Sequence, residues 1–232
     1  MVKFFVNPSL LIALFLLFIF APLRADKFVH PVDIARQMQA KFKTLKTYQA
    51  NFTLNIKDMN KTKVSSGVAT YAEGGKLNFT FNQPAGDLIV SNGQMLYVYV
   101  SRLRAVGKQP LKNKDKDGKP LFVAGTAEGL SNLFRRYHYR FDTPEQPRDV
   151  EGGKYFVLEL KEKEITGGYD KITLFVKSDS YLIEKMHASS PSGRTVELTF
   201  SNIRLNPDID PKLFQFKEPD NAKIVDNPLT TE

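Results

Sequence analysis

Alternation of apolar and polar residues over short segments constrains this chain more than any other sequence feature. From Tyr48 to Lys57 every second residue is apolar and the residues between are polar, which is the pattern of a strand with one buried face. Eight later segments repeat it, at 63–72, 76–82, 87–91, 94–100, 154–161, 169–177, 180–189 and 194–203. The chain is therefore expected to form a β-sheet with one apolar face.

Short turn sequences separate these segments and fix how the strands run. They are Glu73-Gly74-Gly75, Asn92-Gly93, Gly152-Gly153, Gly167-Gly168, Ser178-Asp179 and Ser192-Gly193. Loops this short join antiparallel neighbours, because a parallel crossover needs about a dozen residues. The sequence predicts an antiparallel meander of roughly nine to eleven strands.

Two segments have a helical period instead. From His30 to Leu45, apolar residues recur every three or four positions, which predicts one amphipathic helix. A second helical pattern follows Thr126, a plausible N-cap, and places Leu130, Leu133, Phe134 and Tyr137 on one face. Because the preceding stretch from Gly107 to Pro120 is polar, we interpret 107–137 as an insertion that crosses the sheet.

The N-terminal residues are typical of an export signal. Lys3 precedes an apolar run from Leu10 to Phe20, and Leu23-Arg24-Ala25 is a passable cleavage site. A membrane anchor is the alternative, but the run is about half of the roughly 20 apolar residues that span a bilayer. We therefore expect residues 1–25 to be a cleaved signal and 26–232 a single exported domain. The absence of cysteine excludes a lipid anchor at the cleavage point and any thiolate nucleophile.

Sequence motifs for catalysis, metals and cofactors are missing. His30, His138 and His187 lack ligand spacing, and Glu162 and Glu164 lie in a lysine-rich strand end. The lysines between Lys108 and Lys119 allow a nucleic-acid interpretation, but no aromatic residue lies between them for base stacking. The chain's formal charge of +8 suits anionic surfaces, although ordinary solubility explains it equally well. We expect no catalytic residue, no metal, no cofactor and no nucleic-acid partner.

Aromatic residues are abundant, with 18 Phe and 9 Tyr, and many occupy alternating strand positions. They could fill an ordinary core or line a hollow that holds an apolar ligand, since curved sheets of this size do either. Periodicity alone leaves both possibilities open.

The order of several short segments resembles the outer-membrane lipoprotein carrier proteins of the Gram-negative periplasm. The segments are Phe42-Lys43-Thr44-Leu45, Thr47-Tyr48-Gln49-Ala50-Asn51-Phe52, Gln83-Pro84, Leu88-Ile89-Val90-Ser91-Asn92-Gly93, Leu96-Tyr97-Val98-Tyr99, Pro120-Leu121-Phe122-Val123-Ala124 and Phe214-Gln215-Phe216-Lys217-Glu218-Pro219. The resemblance implies an incomplete antiparallel β-barrel with a helical lid over an apolar cavity. It also implies a monomeric, non-enzymatic carrier of lipid-modified proteins, which an inner-membrane ABC exporter loads and an outer-membrane receptor unloads.

Strand parity and the resemblance together suggest which residues meet the acyl chains. The cavity is expected to be lined by Phe52, Leu54, Leu77, Phe79, Phe81, Val90 and Leu96, and the lid to carry Leu130, Leu133 and Phe134. The family commonly has an Arg-Pro pair before the strand of Leu77, and its arginine holds the lid closed. Glu73-Gly74 stands there in this chain, and because glutamate cannot donate the guanidinium hydrogen bonds, the expected latch is in doubt.

Three other functions remain compatible with the sequence. A relative of the same fold could sense mislocalised lipoproteins or carry a glycolipid. An exported hydrolase would require His138 or His187 to meet a serine and a carboxylate in a cleft. A structural module would have the same strands around a filled core.

Overall fold

The computed structural model describes residues 29–59, 61–111, 125–164 and 168–226. The expected signal at 1–25 and the lysine-rich stretch 112–124 lie outside these residues. The two helices are α1 (Pro31–Thr44) and α2 (Ala127–Arg136). The strands are β1 (Thr47–Asp58), β2 (Lys61–Ala72), β3 (Lys76–Gln83), β4 (Leu88–Asn92), β5 (Met95–Val100), β6 (Ala105–Pro110), β7 (Tyr137–Phe141), β8 (Arg148–Val150), β9 (Gly153–Glu162), β10 (Lys171–Lys177), β11 (Ile183–Ser189), β12 (Thr195–Leu205) and β13 (Lys223–Asp226).

All thirteen strands belong to one strongly curved sheet. Its order is β13-β6-β5-β4-β3-β2-β1-β12-β11-β10-β9-β7, with β8 also paired to β9, and its two edges are not joined to one another. Neighbours are antiparallel except β13, which runs parallel to β6. The predicted antiparallel, unclosed sheet is confirmed, and the nine predicted segments correspond to β1–β5 and β9–β12. The expected strand number was too low because β6, β7, β8 and β13 were not recognised.

The interpretation of 107–137 as an insertion is wrong at both ends. Residues 105–110 form β6, an ordinary hairpin partner of β5, and Tyr137 already belongs to β7. Between them, α2 forms as predicted, and its N-cap Thr126 accepts a hydrogen bond from the Gly129 N–H at 3.0 Å.

Helix α1 begins at Pro31, whose ring suits the first turn. Asp33 in the first turn and lysines in the last turn complement the helix dipole. The apolar side chains of α1 that the period predicted turn toward the sheet, and the polar ones turn to solvent. Leu45 and Lys46 alone connect α1 to β1, so the helix folds directly back over the strand that follows it.

The C-terminal part of the described chain covers the convex side of the sheet. Asn78 on β3 donates a hydrogen bond to the Leu213 carbonyl at 2.7 Å, and the Phe216 ring stacks on Tyr97 of β5 at 4.8 Å. Phe214 is buried there. Strands β3, β4 and β5 consequently contact the C-terminal segment on this face.

Candidate functional site

The concave face of the sheet is apolar, and most of the residues predicted to line a cavity lie on it. In the β1–β2–β3 register, Phe52 stands opposite Gly67 and Gly67 opposite Phe81. Because directly opposed residues of paired strands point to the same face, this register puts both rings on the concave side. Leu54, Leu77, Phe79 and Leu96 share that side and belong to, or pack against, one apolar cluster with both helices.

Aromatic rings form the centre of this face. The Phe52 ring lies 4.9 Å from Phe79 and 5.0 Å from Phe81, centroid to centroid, in tilted and edge-to-face geometries. Toward the start of β1, Tyr48 and Tyr71 stack in parallel at 4.7 Å. Glycine at 67 makes room for the strands, since a Cβ there would lie 2.0 Å from the Thr80 carbonyl oxygen.

Val90 does not belong to this face, so its assignment to the cavity is wrong. It stands opposite Asn78 on β3 and Tyr97 on β5, both of which contact the C-terminal segment on the convex side. Its buried environment is therefore the second apolar layer beneath that segment. The neighbouring Ile89, opposite Phe79, takes the concave position instead.

Both helices cover the concave face with apolar side chains only. The buried residues are Ile34, Ala35, Met38 and Phe42 on α1, and Gly129, Leu130, Leu133 and Phe134 on α2. Leu130, Leu133 and Phe134 thus occupy the place expected of lid residues. A role in opening and closing stays a prediction.

The concave face is packed in this conformation. Leu77, Leu96 and Phe79 are 0%, 1% and 2% exposed, so these three side chains are almost fully covered. Space for an acyl chain at these positions requires the helices to move away from the sheet.

A pocket of about 160 Å³ remains in this cover. It lies where the end of α1 meets the start of α2, above the β2–β3 turn. Its volume is close to that of an apolar cavity of about 150 Å³ that holds one benzene, which is far less than a lipid chain occupies. Its lining residues are Phe42, Lys43, Leu45, Lys46, Thr47, Tyr48, Tyr71, Ala72, Glu73, Gly74, Gly125, Thr126, Ala127 and Glu128.

Glu73 and Gly74 line this pocket opposite the first turn of α2. Glu73 and Gly74, which stand where the resemblance places an Arg-Pro pair, therefore lie beside the start of the lid helix. A carboxylate near a helix N-terminus interacts favourably with the helix dipole, whereas Glu128 on α2 brings a second negative charge to the same pocket. The residues that line this pocket offer no guanidinium latch.

Two phenols sit beneath the pocket. Burial raises the pKa of both Tyr48 and Tyr71 well above the ordinary value, because an apolar environment disfavours phenolate. The Tyr48 hydroxyl donates to no acceptor among the residues that the structure describes. Tyr48 contributes to this end of the core through its ring contacts.

The other end of α2 is held by polar contacts. Arg136 pairs with Glu162 at 3.2 Å, and the Tyr137 hydroxyl donates to the Tyr169 carbonyl at 2.6 Å. Lys163 adds a hydrogen bond from its Nζ to the Arg135 carbonyl at 2.8 Å. Burial and the neighbouring Glu162 raise the pKa of Tyr137 to about 12. Helix α2 is thus fixed at its C-terminal end and rests on side-chain packing at its N-terminal end.

The histidines give the hydrolase alternative no support. His187 pairs with Glu197 at 2.7 Å on the convex face, and exposed His138 lies on edge strand β7. Neither lines the pocket described above. Within residues 29–59, 61–111, 125–164 and 168–226, no three acidic or histidine side chains cluster as metal ligands would, and no helix is long and apolar enough to cross a membrane.

A curved, unclosed antiparallel sheet with two helices across its apolar concave face defines the lipoprotein-carrier class of fold. The model of the family "Outer membrane lipoprotein carrier protein LolA" matches residues 43–217. The chain belongs to this family.

Similar proteins agree with that assignment. An outer-membrane lipoprotein carrier protein of Legionella pneumophila (strain Corby) is 29% identical over 195 residues, covering 82% of this chain and 89% of the relative. One from Nitrosomonas europaea is 28% identical over 183 residues, covering 77% and 82%. The crystal structure of an uncharacterized conserved protein from Thermus thermophilus has a TM-score of 0.54 at 8% identity, covering 84% of this chain and 98% of that one, which shows the fold alone.

Sequence reasoning missed the residues that shape the pocket. Tyr71 and Gly125 are 54 positions apart and meet only in the folded chain. The helical period of α1 could have predicted part of this site. It places Met38 and Phe42 on the buried face of the helix, and Phe42 lines the pocket.

Proposed function

We propose that this chain carries lipid-modified proteins through the periplasm, as a monomer and without catalysing a reaction. It receives cargo from an ABC exporter in the inner membrane and delivers it to a receptor on the outer membrane. Family membership and the names of the relatives support carriage of lipoproteins. The acyl chains bind between the concave face and the two helices.

One observation carries this proposal: an apolar concave face is covered by helices whose buried side chains are all apolar. Opening therefore exposes largely apolar surface, because the helices bring no buried polar side chain to the face that separates. An acyl chain that replaces the helices on the sheet therefore breaks no hydrogen bond of a buried helix side chain.

The free energy gained when the helices cover the concave face is comparable to that gained when one acyl chain covers it. Each helix buries three large apolar side chains. Burial of each one stabilises the closed lid by about 1.5–3 kcal/mol, or roughly 9–18 kcal/mol for all six. Burying an acyl chain of about 16 carbons gains on the order of 12 kcal/mol. Loss of the lid contacts thus offsets much or all of the gain from one bound chain, which suits a carrier that must both take up and release its cargo.

A reversible cross-link between lid and sheet tests the proposal, and the chain helps because it has no cysteine. Ala72 on β2 and Ala127 on α2 line the same pocket, so Ala72→Cys/Ala127→Cys can be joined by a short, thiol-cleavable bismaleimide. Binding is measured as displacement of an apolar dye by a synthetic triacylated lipopeptide. We expect saturable displacement before cross-linking, loss of it afterwards, and recovery on cleavage.

The two single-cysteine variants, treated with the same reagent, are the controls. Displacement that survives the cross-link would mean that cargo does not enter beneath α2. No saturable displacement by the unmodified protein would instead favour a structural module with a filled core.

A further inference from the structure

The turns at one end of the strands carry the most exposed large apolar residues of the described chain. Strands β1 to β6 are consecutive antiparallel neighbours, so the β1–β2 and β5–β6 turns lie at the same end of the strands. Met59 in the first turn is 81% exposed, Leu103 in the second 58%, and Val64 beside the first 57%. The turns are separated along the sheet by on the order of 20 Å, four strand spacings.

Positive charges surround these apolar side chains. We define the basic apolar edge as Lys57, Met59, Lys61, Lys63, Val64, Arg102, Leu103 and Arg104, all of them exposed. None of its five cations forms an ion pair with another described residue. Asp58 is the exposed carboxylate within the two turns, so the edge keeps a strong positive excess.

The β5–β6 turn is held in place from beneath. Buried Asp87 accepts hydrogen bonds from the Ser101 N–H at 2.9 Å and the Ser101 hydroxyl at 2.8 Å. Asp87 forms no ion pair with Arg102 or Arg104. The turn therefore presents Leu103 between two arginines on an ordered support.

We propose that the basic apolar edge docks this protein on the surface of anionic phospholipid bilayers. Lysine and arginine side chains interact with anionic headgroups, while exposed apolar side chains enter the boundary between headgroups and acyl chains. A protein partner fits less well, because protein interfaces are depleted in lysine and enriched in aromatic residues, and this edge has three lysines and no aromatic side chain. The inference does not depend on acyl-chain carriage.

Co-sedimentation with lipid vesicles tests the docking surface, using the mature, cargo-free protein. We expect binding to vesicles of phosphatidylglycerol and phosphatidylethanolamine, weakening as salt is raised, and little binding to phosphatidylcholine vesicles. At about fivefold per lysine, Lys61→Gln/Lys63→Gln should reduce binding about 25-fold. The matched control is Lys76→Gln/Lys154→Gln, which removes two exposed lysines from the opposite edge and should leave binding unchanged.

A second pair of substitutions tests the apolar contribution. Met59→Gln/Leu103→Gln keeps side-chain size and charge, and should remove the part of the binding that persists at high salt. Equal binding to neutral vesicles, an equal loss in the control pair, or no binding to any vesicle would overturn the proposal. All six positions are exposed, so the substitutions should not change stability, and the unfolding midpoint checks this. Lipopeptide displacement, measured on the same variants, tests the carrier function separately.

Discussion

Gly125, the residue before the N-cap of α2, lies directly against the ring of Tyr71 on β2. A Cβ at position 125 would lie 2.3 Å from Tyr71 Cζ and 2.5 Å from its hydroxyl oxygen. The backbone just before the lid helix therefore packs directly on a side chain of the sheet, with no side chain of its own in between. The contact is at the N-terminal end of α2, where the described residues form no ion pair, so it limits how closely the lid can shut.

Gly125→Ala should open the lid at its N-terminal end. The added methyl cannot fit without moving either α2 or the buried Tyr71 ring, and such overpacking costs about 1–3 kcal/mol. We expect lower stability to urea and stronger fluorescence of an apolar dye at pH 7. Gly168→Ala is the control, because a Cβ there meets nothing within 4 Å. Unchanged dye binding in Gly125→Ala would show that this contact does not limit access.

The two faces of the sheet can be distinguished with a matched pair of phenylalanines. Phe81 is buried on the concave face and Phe214 beneath the C-terminal segment on the convex face. Replacing either with alanine should destabilise the fold by about 3–5 kcal/mol. Only Phe81→Ala should also change the concentration of lipopeptide that displaces the dye. An equal change in Phe214→Ala would mean that affinity follows stability and not the concave surface.

The fixed end of α2 gives a third test. Glu162 is only 6% exposed and pairs with Arg136, so Glu162→Gln removes a largely buried charged contact, at a cost of about 1–3 kcal/mol. We expect weaker retention of bound lipopeptide, measured as a faster dissociation rate, because the helix loses its anchor. Glu159→Gln is the control, since the partners of Glu159 are solvent-exposed and such pairs contribute about 0–1 kcal/mol. Equal dissociation rates in the two variants would count against a hinge at this end.

Strands were predictable from the sequence where alternation and a turn occurred together, as in β1, β9 and β10. The run Leu88-Ile89-Val90 has no alternation because β4 is covered on both faces, with the C-terminal segment on the convex one. Counting alternate residues therefore assigned Val90 to the wrong face. Strands β8 and β13 have three and four residues, too few for a period. The contact of Gly125 with Tyr71 depends on the tertiary fold, which local patterns do not encode.

Two buried tyrosines differ in whether the hydroxyl has a partner, and stability measurements should separate them. The Tyr137 hydroxyl donates to the Tyr169 carbonyl at 2.6 Å, so Tyr137→Phe should cost about 1 kcal/mol at pH 7. Tyr48→Phe should cost almost nothing at that pH, because its hydroxyl has no acceptor among the described residues and the ring stacking is kept. Urea unfolding at pH 7 measures both differences.

Above pH 10 the behaviour of Tyr48 should differ from that at pH 7. Burial raises the pKa of Tyr48 in the folded protein above its unfolded value of about 10. The unfolded chain therefore releases a proton that the folded chain retains, and unfolding becomes easier as the pH rises, by about 1 kcal/mol between pH 10 and 11 for this group. Tyr48→Phe lacks the titrating group, so between pH 10 and 11 its free energy of unfolding should fall by that much less than in the unaltered protein. Parallel curves for the two proteins would mean that the Tyr48 phenol reaches water through the pocket, and that the lid does not seal this end of the core.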